Sequence, residues 1–370
     1  MSDRKYRPVY MVISAGLILM IVMMNYSFNL MYYIQNRIYE NAVKTLFPTN
    51  TFVDEAEKTS YSGSVWADSE CIFGLMDDDK SLATESDCGV VTANADVAKD
   101  NSAVSVQPAG VQYDINDLTN YDFLMKFYTV TSITSLTPQI MRPEEFLNKD
   151  LSIEKKSDAP QILIFHTHSQ EGFVDTVEGD SSTSIIGVGD YLTELLTNTY
   201  GYNVYHDTTI YDYVDGKLDR SKAYTYAEQN VARILEANPS IEVVIDLHRD
   251  GVADTTRLIT EYNGETMAKV MLFNGISYSN AKGDISYLYN PCRDDNLAMS
   301  LQMYLLGQKY YPGYLRKIYI NAYRYCLHMK GRSMLIEAGA QTNTCQEVKN
   351  AMVPLADMLD RLLSGEKAYN

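Results

Sequence analysis

The sequence predicts an α/β fold in which a mostly parallel central sheet is flanked by helices. Short apolar and β-branched runs, such as ILIF at 162–165 and IEVVIDLH at 241–248, have the length and composition of buried strands. Between them lie longer segments with apolar residues at helical spacing, such as SIIGVGDYLTELLTNTYG at 184–201. Strands that alternate with helices form parallel sheets covered on both faces.

The same alternation continues to the end of the chain. Pro239 stops one helix, and an Asn-Gly pair at 263–264 is typical of a tight turn between two extended runs. The expected elements are strand 162–165, helix 184–201, strand 202–207, helix 221–238, strand 241–248, extended runs 255–264 and 265–275, helix 293–310, strands 316–322 and 333–337, and helix 346–363. In such sheets the functional residues collect at the carboxyl ends of the strands.

The N-terminus predicts a membrane anchor. Arg4, Lys5 and Arg7 precede 29 uncharged residues at 8–36, and a membrane span needs about 20 apolar residues. Basic residues on the short N-terminal side place that end in the cytoplasm. No A-x-A-like site closes the apolar run, which favours a retained anchor over a cleaved signal peptide. We therefore expect a single-pass membrane protein whose folded domain is extracytoplasmic.

Composition excludes several classes of protein. Lys and Arg number 31 against 48 Asp and Glu, and the net charge of −17 argues against a nucleic-acid partner. The five cysteines are scattered and contain no C-x-x-C pair, so they indicate neither a thiolate zinc knuckle nor a disulfide-dense scaffold. Residues 51–120 contain 14 acidic residues and three lysines without sustained periodicity. We expect an anchor at 1–36, a flexible acidic linker at 37–119 and a folded domain at 120–370.

Histidines at strand ends are the candidate metal ligands. His166 and His168 follow the strand QILIF, and His248 ends the strand IEVVIDL. His168 and Glu171 lie three residues apart, so one loop can present an imidazole and a carboxylate to the same ion, and His248 would complete the set. Three such ligands favour Zn²⁺ and leave a fourth position for water. His166 is an alternative to His168, and the histidine that does not bind would support the other ligands.

Glu337 is the candidate general base. It ends the strand SMLIEAG, where a buried carboxylate without a partner would be costly. The alternative is a structural glutamate paired with Arg332 or Arg249. Arg249 is itself a candidate catalytic residue that could bind a substrate oxygen, or it could instead hold Asp246 or Asp250 in place.

Taken together, these segments resemble the stage II sporulation protein P family, the cell-wall hydrolases of forespore engulfment in endospore-forming bacteria. The resemblance covers roughly residues 120–363. Its motifs are DFLMKFYTVTSITSL, APQILIFHTHSQEGF, YGYNVYHD, ANPSIEVVIDLHRDGV and SMLIEAG. The order and spacing of these motifs, and the strands in which they lie, carry the resemblance.

The resemblance implies a zinc-dependent N-acetylmuramoyl-L-alanine amidase with an amidase/carboxypeptidase-like fold. Such an enzyme cuts the bond between N-acetylmuramic acid of peptidoglycan and the first alanine of the stem peptide, and the family is also credited with endopeptidase activity on cross-links. The implied zinc ligands are His168 or His166, with Glu171 and His248, and Glu337 is the implied base. The stage II sporulation proteins D and M are implied partners at the sporulation septum and the engulfing membrane.

One departure from the family pattern affects the expected specificity. Where a stretch like Tyr-Asn-Gln is expected before the final strand, the chain has Tyr325, Cys326, Leu327 and His328. Two other functions remain open: a zinc peptidase that acts only on peptide bonds, and a non-catalytic membrane scaffold of the engulfment machinery.

Overall fold

A seven-stranded sheet forms the centre of the molecule. The computed structural model describes residues 106–156, 158–214 and 217–369. The strands of this described part are β1 (Tyr128–Val130), β2 (Ile162–Phe165), β3 (Val204–His206), β4 (Tyr213–Val214), β5 (Lys217–Leu218), β6 (Val243–Asp250), β7 (Ile259–Tyr262), β8 (Glu265–Ala268), β9 (Val270–Gly275), β10 (Tyr278–Ser279), β11 (Gly283–Asp284), β12 (Ile318–Asn321) and β13 (Arg332–Ala340).

The helices precede, separate and follow these strands along the chain. They are α1 (Ile115–Leu118), α2 (Tyr121–Leu124), α3 (Pro143–Asn148), α4 (Ile185–Glu194), α5 (Arg220–Ala237), α6 (Arg293–Tyr310) and α7 (Cys345–Leu363). The long helices agree with the predicted ones to within a few residues. An exception is the segment predicted as one helix at 184–201, in which α4 passes into a π-helical turn at Leu195–Thr199.

The strand order in the sheet is β1-β12-β9-β13-β6-β2-β3. Strands β13, β6, β2 and β3 run parallel to one another, and β9, β12 and β1 form a second parallel set. The two sets meet where β9 pairs antiparallel with β13. The prediction of a mostly parallel sheet flanked by helices is therefore confirmed.

Alternation of side chains along the strands explains how both faces of the sheet are buried. Ile162 and Ile164 of β2 belong to the larger core, which also includes buried residues of α4, α6 and α7. Leu163 and Phe165 point to the other face and pack with Val231 and neighbouring residues of α5. Because successive side chains in a strand point to opposite faces, an unbroken apolar run such as ILIF suits a sheet covered on both sides.

The Asn-Gly turn has the geometry that its sequence predicts. Asn263 and Gly264 have φ angles of 51° and 80°, and they join β7 to β8 as an antiparallel hairpin. A two-residue hairpin turn of this type needs positive φ at both central positions, which asparagine and glycine tolerate best.

The prediction of a single-pass membrane protein is contradicted and is withdrawn. A membrane-spanning helix needs about 20 consecutive, mostly apolar residues. The longest described helix, α7, has 19 residues and carries charged side chains such as Lys349 and Asp360. Among the described helices, none is long and apolar enough to cross a membrane. The segment 8–36, which was predicted as the anchor, lies outside the described residues.

The residues before 120 that the structure describes also pack onto this body. Leu118 is fully buried, and the backbone N–H groups of Ala109 and Gly110 donate to the carbonyl of Lys309 at 3.1 and 2.9 Å. The predicted bounds of anchor, linker and domain stay predictions.

Candidate metal centre

Three neighbouring parallel strands bring the candidate site residues to one edge of the sheet. His166 and His168 follow the end of β2, and His248 lies near the end of β6. Glu337 in β13 is the direct register partner of His248. Since β2, β6 and β13 run in the same direction, the side chains at their carboxyl ends share one edge.

His168, Glu171 and His248 form a group that could hold a metal ion. One possible ligand atom from each side chain lies within 4.8 Å of the others, and all three residues are buried. Nδ1 of His168 is 3.3 Å from one carboxylate oxygen of Glu171, and Nδ1 of His248 is 3.6 Å from the other. The two histidines therefore face the same carboxylate, one from the loop after β2 and the other from β6.

Electrostatics favour the charged forms of Glu171 and His248. Burial alone would raise the pKa of Glu171, but hydrogen bonds from His168 and His248 hold it well below its usual range. Burial alone would lower the pKa of His248, but the carboxylates of Asp246 and Glu171 raise it well above its usual value. Buried charge of this kind is stable only when it is paired or when it coordinates a metal.

Asp246 is a supporting residue that the sequence reasoning did not assign to the site. Its Oδ1 lies 2.8 Å from Nε2 of His248, and its two oxygens accept hydrogen bonds from the backbone N–H and the hydroxyl of Thr167 at 2.9 and 2.6 Å. A carboxylate behind a metal-ligating histidine fixes the orientation of the ring. The sequence contained a signal for this contact, because Asp246 and His248 lie two residues apart in one strand and therefore share a face of the sheet.

Arg249 contacts the group mainly through its backbone. Its N–H donates to Oε2 of Glu171 at 2.9 Å. Its guanidinium donates to the carbonyl oxygens of Gly172 and Asp250, both at 3.2 Å. Neither of the predicted partners, the carboxylates of Asp246 and Asp250, receives these bonds.

Glu337 is buried beside the group. Its Oε2 has no hydrogen-bond partner in the described part of the chain. Burial raises the pKa of Glu337 to about 8, an effect that His248 opposes and that Asp250 and Glu171 reinforce. The alternative of an ion pair with Arg332 has no support, because Arg332 lies at the opposite end of β13 and donates to backbone carbonyls there.

His166 turns away from the metal-binding group. Its Nδ1 lies 2.7 Å from the carbonyl oxygen of Leu247, and its Nε2 lies 2.8 Å from Nε2 of His206. His206 in turn contacts Asp190 at 2.9 Å. Full burial lowers the pKa of His166 to about 3, with the neighbouring His206 as the next contribution. The structure thus brings His168, and not His166, together with Glu171 and His248.

The residues that depart from the family pattern pack in the interior. Cys326 is buried against residues of α5, and Leu327 is buried in a small cluster with Phe273 and Tyr319. His328 pairs with Glu228 at 3.3 Å. Cys326 and Leu327 therefore contribute to the packing of the loop that precedes β13.

The donor set fits Zn²⁺. Two imidazoles and one carboxylate, all buried, are a ligand combination that zinc takes in catalytic sites, and three protein ligands leave one position open. Asp246 supplies the carboxylate that such sites place behind a histidine.

Comparison with known proteins identifies the family. The family model for stage II sporulation protein P matches residues 75–360. The chain belongs to the stage II sporulation protein P family. Stage II sporulation protein P of Bacillus subtilis (strain 168) is 23% identical over 230 residues, which cover 58% of this chain and 54% of that protein. The match thus spans about half the length of this relative.

The solved structures to which this stage II sporulation protein P family member is similar include two N-acetylmuramoyl-L-alanine amidases. The amidase of Nostoc punctiforme is 12% identical with a TM-score of 0.33, and the match covers 57% of this chain and 97% of that one. The amidase of Clostridium difficile 630 is 16% identical with a TM-score of 0.29, and the match covers 56% and 96%.

Proposed function

We propose that this family member is a zinc-dependent hydrolase of sporulation that cleaves the amide bond between N-acetylmuramic acid and L-alanine in peptidoglycan. The observation that carries the proposal is the buried group of His168, Glu171 and His248 beside the carboxyl of Glu337. Membership of the stage II sporulation protein P family supports the biological setting. Forespore engulfment, and the partnership with the stage II sporulation proteins D and M, stay predictions from the resemblance.

His168, Glu171 and His248 are the residues that would hold the zinc ion. When bound, the ion supplies a Lewis acid and makes water acidic near neutral pH. Neighbouring residues orient two of these three side chains. Asp246 orients His248 from behind, and the N–H of Arg249 holds one oxygen of Glu171.

Glu337 moves the proton in this proposal. Its carboxylate accepts a proton from the attacking water and then gives that proton to the leaving amine as the C–N bond breaks. Burial favours the neutral acid, because it raises the pKa of Glu337 to about 8. A nearby metal cation acts in the opposite direction, so that the side chain can exist in both forms near neutral pH.

The test uses the full chain loaded with zinc and purified peptidoglycan, with mass spectrometry of the released products. Glu337→Gln is compared with Glu265→Gln, an exposed glutamate in β8. Free stem peptides with N-terminal alanine from the wild type and Glu265→Gln, but not from Glu337→Gln, are expected. Cleavage of peptide bonds alone would favour the zinc peptidase instead. Intact peptidoglycan after treatment with zinc-loaded wild type would favour the non-catalytic scaffold.

A further inference from the structure

Helix α5 begins beside the metal-binding group with an arginine that the mechanism above does not use. Nη1 of Arg220 lies 3.8 Å from Oε1 of Glu171. The side chain of Arg220 is 17% exposed, and that of Glu171 is 3% exposed. The positive charge of the Arg220 side chain therefore lies at the edge of the centre, next to Glu171, one of the three candidate ligands.

The start of α5 is tied to the loop that carries His168 and Glu171. The backbone N–H of Asp219 donates to the carbonyl of Asp212 at 2.7 Å. The fully buried carboxylate of Asp212 accepts from the hydroxyl of Ser169 at 2.7 Å and from the N–H of Gln170 at 3.1 Å. These bonds connect the residue before Arg220 to the residues between the two ligands, so the backbone at the start of α5 is held close to the group.

The next turn of α5 also faces the group. The ring of Tyr224 meets the ring of His168 edge-on at 5.6 Å and lies nearly parallel to that of His248, with centroids 6.5 Å apart and an interplanar angle of 13°. Residues four apart lie on the same side of a helix. Arg220 and Tyr224 therefore form one wall of the centre.

The two arginines near Glu171 have different tasks. The guanidinium of Arg249 is bonded to the carbonyl oxygens of Gly172 and Asp250, and this arrangement positions the loop. The guanidinium of Arg220 forms an ion pair with the carboxylate of Glu171, with Nη1 at 3.8 Å from Oε1. If a metal cation takes up the charge of Glu171, the guanidinium beside it favours an additional anion.

We propose that Arg220 is a catalytic residue that binds the negative charge developing on the scissile carbonyl oxygen. This inference rests on the proposed amide hydrolysis. The water oxygen bonds to the carbonyl carbon, and the electron pair of the C=O bond moves to the oxygen, where Arg220 donates to it. The C–N bond then breaks, the pair returns to form the carboxyl group, and the amine leaves with the proton from Glu337. A planar guanidinium is well suited to such an oxyanion.

The test compares Arg220→Gln and Arg220→Lys with Arg233→Gln, an exposed arginine on the same helix. All are made in the full chain, and circular dichroism checks folding. The first readout is kcat and KM for peptidoglycan. The second is zinc affinity, measured by competition with a chromophoric chelator. The third is calorimetric binding of inorganic phosphate, a tetrahedral oxyanion, to the zinc-loaded protein.

For Arg220→Gln we expect a loss of about 100-fold or more in kcat, as for removal of other oxyanion donors. We expect phosphate binding to weaken about 10-fold and zinc affinity to be unchanged or increased, because a positive charge beside the ion is removed. Arg220→Lys should recover part of kcat, and Arg233→Gln should match the wild type.

Other results overturn the inference in distinct ways. A fall in zinc affinity that parallels the loss of kcat would show that Arg220 only holds Glu171 in place. Unchanged kcat and phosphate binding would show that it has no role in the reaction. If the wild type releases no products, the proposed function fails, but phosphate binding by Arg220→Gln and Arg220→Lys still decides whether Arg220 binds an anion beside the metal.

Discussion

Asp246 supports the metal centre from behind, and the substitution Asp246→Asn measures how much this support contributes. The change preserves the size of the side chain and removes its charge. Oδ1 of Asp246 lies 2.8 Å from Nε2 of His248, and both oxygens accept hydrogen bonds from Thr167. An asparagine with its oxygen in place of Oδ1 keeps the contact with His248 and the bond from the N–H of Thr167, and its amide nitrogen can donate to the Thr167 hydroxyl, so the main loss is the negative charge behind His248.

The expected effect follows from two opposing contributions. Loss of the carboxylate behind a metal-ligating histidine typically lowers metal affinity by about 10- to 100-fold, or about 1.4 to 2.7 kcal/mol. Protons compete with the metal, because Asp246 and Glu171 outweigh burial and raise the pKa of His248 well above its usual value. Asp246→Asn weakens this competition. Proton competition lowers the zinc affinity of the wild type more than that of the variant, and this difference is largest at low pH. The zinc affinity of the variant should therefore fall further below that of the wild type at pH 8.5 than at pH 6.5.

The assay is competition for zinc with a chromophoric chelator at both pH values. Asp254→Asn, at an exposed loop position, serves as the matched control. Circular dichroism and urea unfolding of the metal-free proteins separate a loss of zinc ligation from a loss of fold. Equal zinc affinity of Asp246→Asn and wild type at pH 8.5, or a smaller deficit at pH 8.5 than at pH 6.5, would refute the reasoning.

Three further predictions concern catalysis, packing and metal binding. Glu337→Gln should lower kcat by about 100- to 10,000-fold while the zinc content measured by mass spectrometry stays the same; a loss of zinc would assign this residue to ligation. In Gly189→Ala the new Cβ would lie 2.6 Å from Nε2 of His206 and 2.7 Å from Nε2 of His166, so urea unfolding should show a loss of about 1–3 kcal/mol. Glu194→Ala, an exposed control on the same helix, should change stability by no more than about 0.5 kcal/mol, and equal stability of both variants would contradict the packing argument. Chelation of zinc should lower the free energy of unfolding by about 4 kcal/mol if zinc is present at 1,000 times its Kd, and an unchanged melting temperature would argue against a zinc site.

Several elements could be predicted because the information that determines them is local. The run ILIF and the segment at 293–310 have the apolar spacing of a buried strand and of a helix, and the structure contains both with the predicted bounds. Asn263 and Gly264 predict their turn because few residues adopt positive φ. His168 and Glu171 are three residues apart, so their contact is also a local property.

Other features depend on contacts between distant segments. The antiparallel pairing of β9 with β13 reverses one half of the sheet, and no local pattern specifies which strands become neighbours. The expectation that Cys326 and Leu327 affect specificity came from their positions in the sequence, where the family pattern has a polar pair. In the structure Cys326 and Leu327 pack in the interior.

The sequence by itself determined the type of fold, the positions of most helices and strands, and the edge of the sheet where the polar residues collect. Periodicity and parallel topology are sufficient for that. Only the tertiary structure showed that His168, and not His166, lies beside Glu171, because His206 from β3 and the carbonyl of Leu247 from β6 hold the ring of His166 away from it. It also brought Arg220 to the centre from 49 residues beyond Glu171. Such a contact arises only when α5 packs on the sheet, since burial of its apolar face against β2 and β6 fixes where its first turn lies.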